Sequence, residues 1–393
     1  MTAPIRRTAT ALSAAAAVVA TLTGAVGVAA PQAAQAATCR ATPTLLSRTP
    51  IVTKLAGGAV ARSWDTGPTP SNPQASLRIV AVTVPASSAA NPRVRGSVLT
   101  SSRTPSAHIS GLTTPVVTVN GGVFNPTIGA LPDLPVMTSG WLLKARSTHD
   151  PAIVISKDGQ SIPSRLWVTG SAGSSSIGAK TVTGLNWQAL SGTGVNVYTH
   201  AWGSRSRPYG TVDIVLVGGK VAGIRTGTAR GKAPASGQMI LTGTGTTGTW
   251  LASLRAGTSV PVSYHASTDA TFPVYEAVGR GARFLNKGVK DGGTCSSRDE
   301  LLRPRTAIGW TRSGDLLFVT ATGRATIDGV RYGGATIHQM ADYMAKLGSY
   351  DETNLDGGGS TTMLVRTTSG TVARVDRCGC EWQRAVPNVF SAG

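Results

Sequence analysis

Residues 336–362 read TIHQMADYMAKLGSYDETNLDGGGSTT, and the fold and chemistry of the chain turn on them. Ile337, Met340, Ala341, Met344 and Leu347 recur at helical spacing and make one apolar face. Thr336 followed by Gln339 fits a reciprocal N-terminal cap, and Gly348 supplies a C-terminal stop. The spacing therefore predicts an amphipathic helix over 336–347. That helix delivers the chain into Asn354-Leu355-Asp356-Gly357-Gly358-Gly359-Ser360. Three glycines after an acid allow positive φ and close approach to a ligand, and their exposed N–H groups can form an anion-binding nest. Asp356 stands at its edge, with the hydroxyls of Ser360 and Thr361 beside it.

Working outward, strand signals dominate. Leu77–Val84 and Val116–Val119 are β-branched runs, the second ending at Asn120-Gly121-Gly122. Ala152–Ser156 runs into Asp158-Gly159, Asp213–Val217 turns through Gly218-Gly219 into Lys220–Ile224, and Ala307–Thr311 faces Leu316–Thr320 across Ser313-Gly314. Thr361–Thr367 turns at Ser369-Gly370 into Val372–Val375. Ser/Gly/Pro-rich loops are expected at 85–106, 170–178 and 226–238. No repeat of 20–50 residues is visible, which removes solenoids and propellers. The expectation is an α+β fold, strand-rich, with mixed sheets, a few helices and one domain over 43–393.

The chain has 393 residues, 48 of them Gly, with 41% hydrophobic and 14% charged residues and a net charge of +19. That is enough apolar material for a core and too little Glu, Lys and Leu for a coiled coil. The N-terminus carries Arg6-Arg7, a small-residue apolar run from Ala11 to Ala30, and Ala34-Gln35-Ala36, which reads as an export signal over 1–36. The export route, general or twin-arginine, stays open. Removing the signal leaves +17, a surface that attracts polyanions. Outside a cell these would be phosphate-rich wall glycopolymers, anionic polysaccharides or lipid headgroups rather than nucleic acid, and no later apolar stretch is long enough for membrane insertion. Four cysteines, Cys39, Cys295, Cys378 and Cys380, suit two disulfides in an exported protein, with three pairings open.

Two further glycine- or arginine-rich pieces are candidates for binding. Asn120-Gly121-Gly122-Val123-Phe124 follows an apolar strand, and Arg303-Pro304-Arg305-Thr306 places guanidiniums, which match phosphate in planar pairs, ahead of another. The five histidines include no His-Glu-x-x-His, Gly358–Thr362 is no nucleophile elbow, and neither a P-loop nor a dinucleotide fingerprint is present. No cofactor and no dedicated metal-ligand cluster is expected.

The ordered set Asn120–Phe124, Arg305–Gly309, Gly323-Arg324, the 336–348 helix, Asn354–Thr362 and Gln383–Asn388 resembles the phosphodiester glycosidase family. The resemblance implies cleavage between a sugar anomeric carbon and a phosphodiester oxygen, as in an N-acetylglucosamine-α-1-phosphate diester. A phosphomonoester has a second pKa of about 6, so it departs with little help from a general acid, and the paired carboxylates of ordinary glycosidases are not obligatory. The expected roles are Asp356 as base or nucleophile, and Arg305, Arg324 and the Gly357–Gly359 amides on phosphate. Asn120 orients the substrate, with Gly121, Gly122, Thr306 and Ser360 lining the site. The competing reading is a non-catalytic binder of anionic, phosphate-containing wall glycopolymer.

Overall fold

A run such as Leu77–Val84, apolar at nearly every position, must be covered on both faces. In the computed structural model, which describes residues 39, 41–65, 77–86, 91–96, 98–290, 301–323, 333–376 and 383–393, it is. Strand Arg78–Val84 lies within an eight-stranded sheet between 60–65 and 316–322, which continues through 305–311 and 349–354. Val80, Val82, Ile308 and Phe318 pack against Val117, Val119, Met363 and Phe390 of a five-stranded sheet. On the opposite face Ile79, Ala81, Ala307 and Val319 pack against Met340, Tyr343 and Met344 of the helix Ile337–Lys346. The period-two alternation of Arg78–Val84 thus serves two cores at once.

The helix carries the expected cap. Gln339 N donates to Thr336 Oγ1 at 3.1 Å while Thr336 N donates to Gln339 Oε1 at 3.0 Å, and Gly348 ends the helix at φ +91°. Gln339 Nε2 and Tyr343 OH also donate to the carbonyls of Ala41 and Pro43, which fastens the N-terminal segment to the helix.

Eleven of the remaining strands form a sheet in which the pairings of 136–138, 141–146, 178–185, 161–174, 150–155 and 276–279 run in a closed circuit, and 124–125 pairs separately with 131–132. Val154, Leu166, Val168, Val182 and Leu185 fill it. The sheets are antiparallel except where 178–185 pairs with 195–199, and the fold is α+β.

The hairpins read from the sequence are present, with Gly159, Gly218, Gly219, Gly314 and Gly370 at positive φ in their turns. Two expected loops are not loops throughout. Residues 170–174 continue the 14-residue strand Ser161–Ser174, where Gly170 is needed because a Cβ would lie 2.2 Å from the Ser263 carbonyl. Within 85–106 the chain forms the strand Arg93–Arg95 and begins the short helix Pro105–His108. Among the described residues no helix is long and apolar enough to cross a membrane. Cys39 is disulfide-bonded. Residues 1–36, Cys295, Cys378, Cys380 and Arg324 lie outside the described residues.

Candidate active site

Four pieces of sequence far apart in the chain meet at Asp356. Strand Val117–Asn120 ends beside it, and both backbone groups of Asp356 are used: its N–H donates to Gly121 O at 3.0 Å, and its carbonyl accepts from Asn120 Nδ2 at 2.7 Å. Asn120 is wholly buried, and its Oδ1 accepts from Thr306 Oγ1 at 2.8 Å and from Thr362 N at 3.3 Å. One amide side chain therefore ties together the 117–120 strand, the 305–311 strand and both ends of the glycine turn. A buried polar group with both ends satisfied fixes geometry firmly.

The fourth piece is 383–388. Gly121 N donates to Asn388 O at 3.0 Å, and a Cβ on Gly121 would lie 1.8 Å from Asn388 Oδ1. Gly122 packs as closely on the Gly279 carbonyl, at 2.3 Å from an added Cβ. These two glycines are required by backbone approach.

The glycine turn is partly self-satisfied. Gly357 N donates to Asp356 Oδ1 at 2.9 Å, and Gly358 N, at φ +59°, donates to Pro304 O at 2.8 Å. The expected cradle of three amides is therefore narrower, because two of the three already have partners. Gly359 is exposed and lies under Arg384, whose Cζ would be 3.3 Å from an added Cβ. Arg384 Nη1 donates to Ser360 Oγ at 3.5 Å, and Ser360 in turn bonds the Asp356 carboxylate.

Of the other residues expected in the site, Thr306 is wholly buried and spends its hydroxyl on Asn120. Arg305 turns its guanidinium to backbone carbonyls, Nε to Ala335 at 3.1 Å and Nη2 to Leu301 at 3.0 Å. Arg384, quoted above only within a motif, is the arginine that stands beside the carboxylate, whereas Arg305 was expected on the phosphate. The sequence signal for it was the Arg-x-Val-x-Asn pattern of 384–388.

Burial holds the Asp356 carboxyl above the usual aspartate range, against the pull of the Ser360 hydroxyl, the Gly357 amide and Arg384. A second carboxylate, Asp133, adds to the upward push. Asp133 sits on the Leu-Pro-Asp-Leu-Pro bend, its N–H donating to Val123 O at 2.9 Å. Burial raises it too, opposed by the wholly buried ammonium of Lys144. Nothing local in the sequence marks Asp133. Among the described residues no cluster of three or more His, Cys, Asp or Glu could hold a metal ion.

An α+β scaffold thus presents one raised carboxyl, bridged by a hydroxyl to an arginine, at a glycine turn open to solvent. Residues 210–392, which hold that carboxyl and that arginine, match the family described as phosphodiester glycosidase, so the resemblance read from the sequence is shown over that segment. No curated protein matches the chain. Among solved structures, a hypothetical protein from Synechocystis superposes with a TM-score of 0.66 at 19% identity, over 88% of this chain and 64% of its own. A candidate exported protein from Burkholderia pseudomallei K96243 gives 0.63 at 20%, over 81% and 74%. These likenesses show the fold. The catalytic domain of zebrafish N-acetylglucosamine-1-phosphodiester alpha-N-acetylglucosaminidase gives 0.45 at 13%, over 89% and 90%, too distant to bear on chemistry.

Proposed function

We propose that the protein is an exported hydrolase that splits a sugar-1-phosphodiester, such as an N-acetylglucosamine-α-1-phosphate diester, into free sugar and phosphomonoester. The observation that carries this is the Asp356–Ser360–Arg384 arrangement at Gly359. Asp356 takes a proton from water as the water oxygen bonds the anomeric carbon. The bond from that carbon to the phosphate oxygen breaks, and its electron pair leaves with the phosphate. Arg384 and the exposed Gly359 backbone meet the charge that gathers there, the preorganised stabilisation such a step needs. Asn120, Gly121, Gly122, Thr306 and Arg305 act one layer back, holding the backbone of the turn. The disulfide at Cys39 and the apolar leader support export to an oxidising compartment.

Purified protein given an α-N-acetylglucosamine-1-phosphodiester should release free sugar. Salt-sensitive capture of wall glycopolymer with no product from any sugar-1-phosphodiester would instead favour a binding protein, the reading suggested by the charge of +19.

The same site sets an expected pH response. A base with a raised pKa is protonated, and idle, over more of the acid range, so the acid limb of kcat/KM should lie above the ordinary carboxylate range. Asp133→Asn removes a neighbouring negative charge and should move that limb to lower pH. Arg384→Gln removes a positive one and should move it to higher pH. Limbs that stay fixed in both variants would separate the titrating group from Asp356.

A further inference from the structure

Arg384 belongs to more than the reaction centre. It also walls a cleft of about 520 Å³ whose other sides are Thr100–Ser102, Phe124 and Arg205. Gly129, at φ +64°, lies beside Arg205: an added Cβ would stand 2.5 Å from the Thr100 carbonyl and 3.1 Å from the Arg205 Cγ and Nε. A second cleft of about 310 Å³ holds Arg95, Arg103 and His108, and Ser101 lines both. Among the described residues no carboxylate lines either one. Burial lowers the pKa of His108, whose Nε2 lies on the Val386 carbonyl at 2.9 Å. Arg95 shares its charge with Glu276. The guanidiniums of Arg103 and Arg205 have no hydrogen-bond or ion-pair partner among the described residues, so two uncommitted cations line the clefts.

We propose that the two clefts form one track for a polyanionic aglycone, a chain of repeating phosphodiesters that runs from the phosphate at Arg384 past Arg205 and Ser101 to Arg103. This rests on the reading of Asp356 and Arg384 as the reaction centre, and it names what is attached to the sugar phosphate. Isolated cations walled by hydroxyls suit a flexible polyol phosphate. A single-stranded nucleic acid would want a row of aromatic faces for its bases, and among the described residues only Phe124 and the His108 imidazole line the clefts with aromatic rings.

Binding of oligo(glycerol phosphate), without any sugar and read by calorimetry, tests the track independently of turnover. Kd should fall as the repeats grow from one to three. Arg103→Gln combined with Arg205→Gln should weaken binding of the trimer about tenfold, a sum within the usual range of two exposed charge contacts. Lys180→Gln with Lys220→Gln, which removes the same charge away from the clefts, should leave it nearly intact. Absence of binding, an equal loss in both double variants, or no loss in the arginine variant would overturn the track. Tighter binding of oligothymidylate of equal charge would overturn it in favour of nucleic acid. Sugar release from a short phosphodiester, measured alongside, decides the hydrolase reading by itself, so the two can fail separately.

Discussion

Asp356→Asn should lower release of free sugar from a sugar-1-phosphodiester by about a thousandfold, the usual scale for loss of a positioned base. The fold should survive the change. The backbone of Asp356 is pinned through its own N–H and carbonyl, and an Asn Oδ1 can still accept from Gly357 N. Relief from burying a carboxylate should leave the melting temperature level or slightly higher. Turnover by the variant equal to that of the parent would remove Asp356 from the reaction. Equal folding with lost turnover would place it there, because no structural role would then explain the loss.

The second large effect concerns stability. Glu352 is wholly buried on strand Ser349–Asn354, with Oε1 accepting from Asn354 Nδ2 at 3.1 Å and Oε2 without a hydrogen-bond partner. Burial pushes its carboxyl up to about 8, against the Phe284 and Leu285 amides and Arg280. In the folded protein it therefore keeps its proton at neutral pH, whereas in the unfolded chain it loses it above the ordinary glutamate range. A folded pKa above the unfolded one adds stability at low pH, and that contribution is lost as pH rises from about 4.5 through about 8. Glu352→Gln imitates the protonated form and should match the parent near pH 4. By pH 7 it should exceed it by on the order of 3 kcal/mol, at ~1.4 kcal/mol per pH unit. Urea unfolding across that range provides the measurement. Parallel curves for the two proteins would show that the carboxyl ionises normally in the fold.

Much of this was legible in the sequence, and the parts that were not share a cause. The 336–347 helix and the hairpins declared themselves because their signals are local: apolar period, reciprocal cap, glycine at the turn. Gly170 misled because a glycine reads as a chain breaker, whereas here it admits a neighbouring strand at a distance no side chain would allow. Arg305 and Thr306 stand in the right motif, yet one spends its guanidinium on backbone carbonyls and the other its hydroxyl on Asn120, and no spacing rule tells which carbonyl a guanidinium will find. Asp133 reaches the site from a bend between short strands and becomes visible only once the sheets have closed. Arg384 was in view as a motif, and its role came from the turn it lies across.

Strand Val389–Ala392 does not lie at a rim. It is inserted between Val117–Asn120 and Arg93–Arg95, two strands made nearly three hundred residues earlier. Arg384 and Asn388 arrive with it. The turn at Asp356 therefore leans on chain that follows it by about thirty residues, and removing residues 382–393 should abolish release of sugar without touching Asp356.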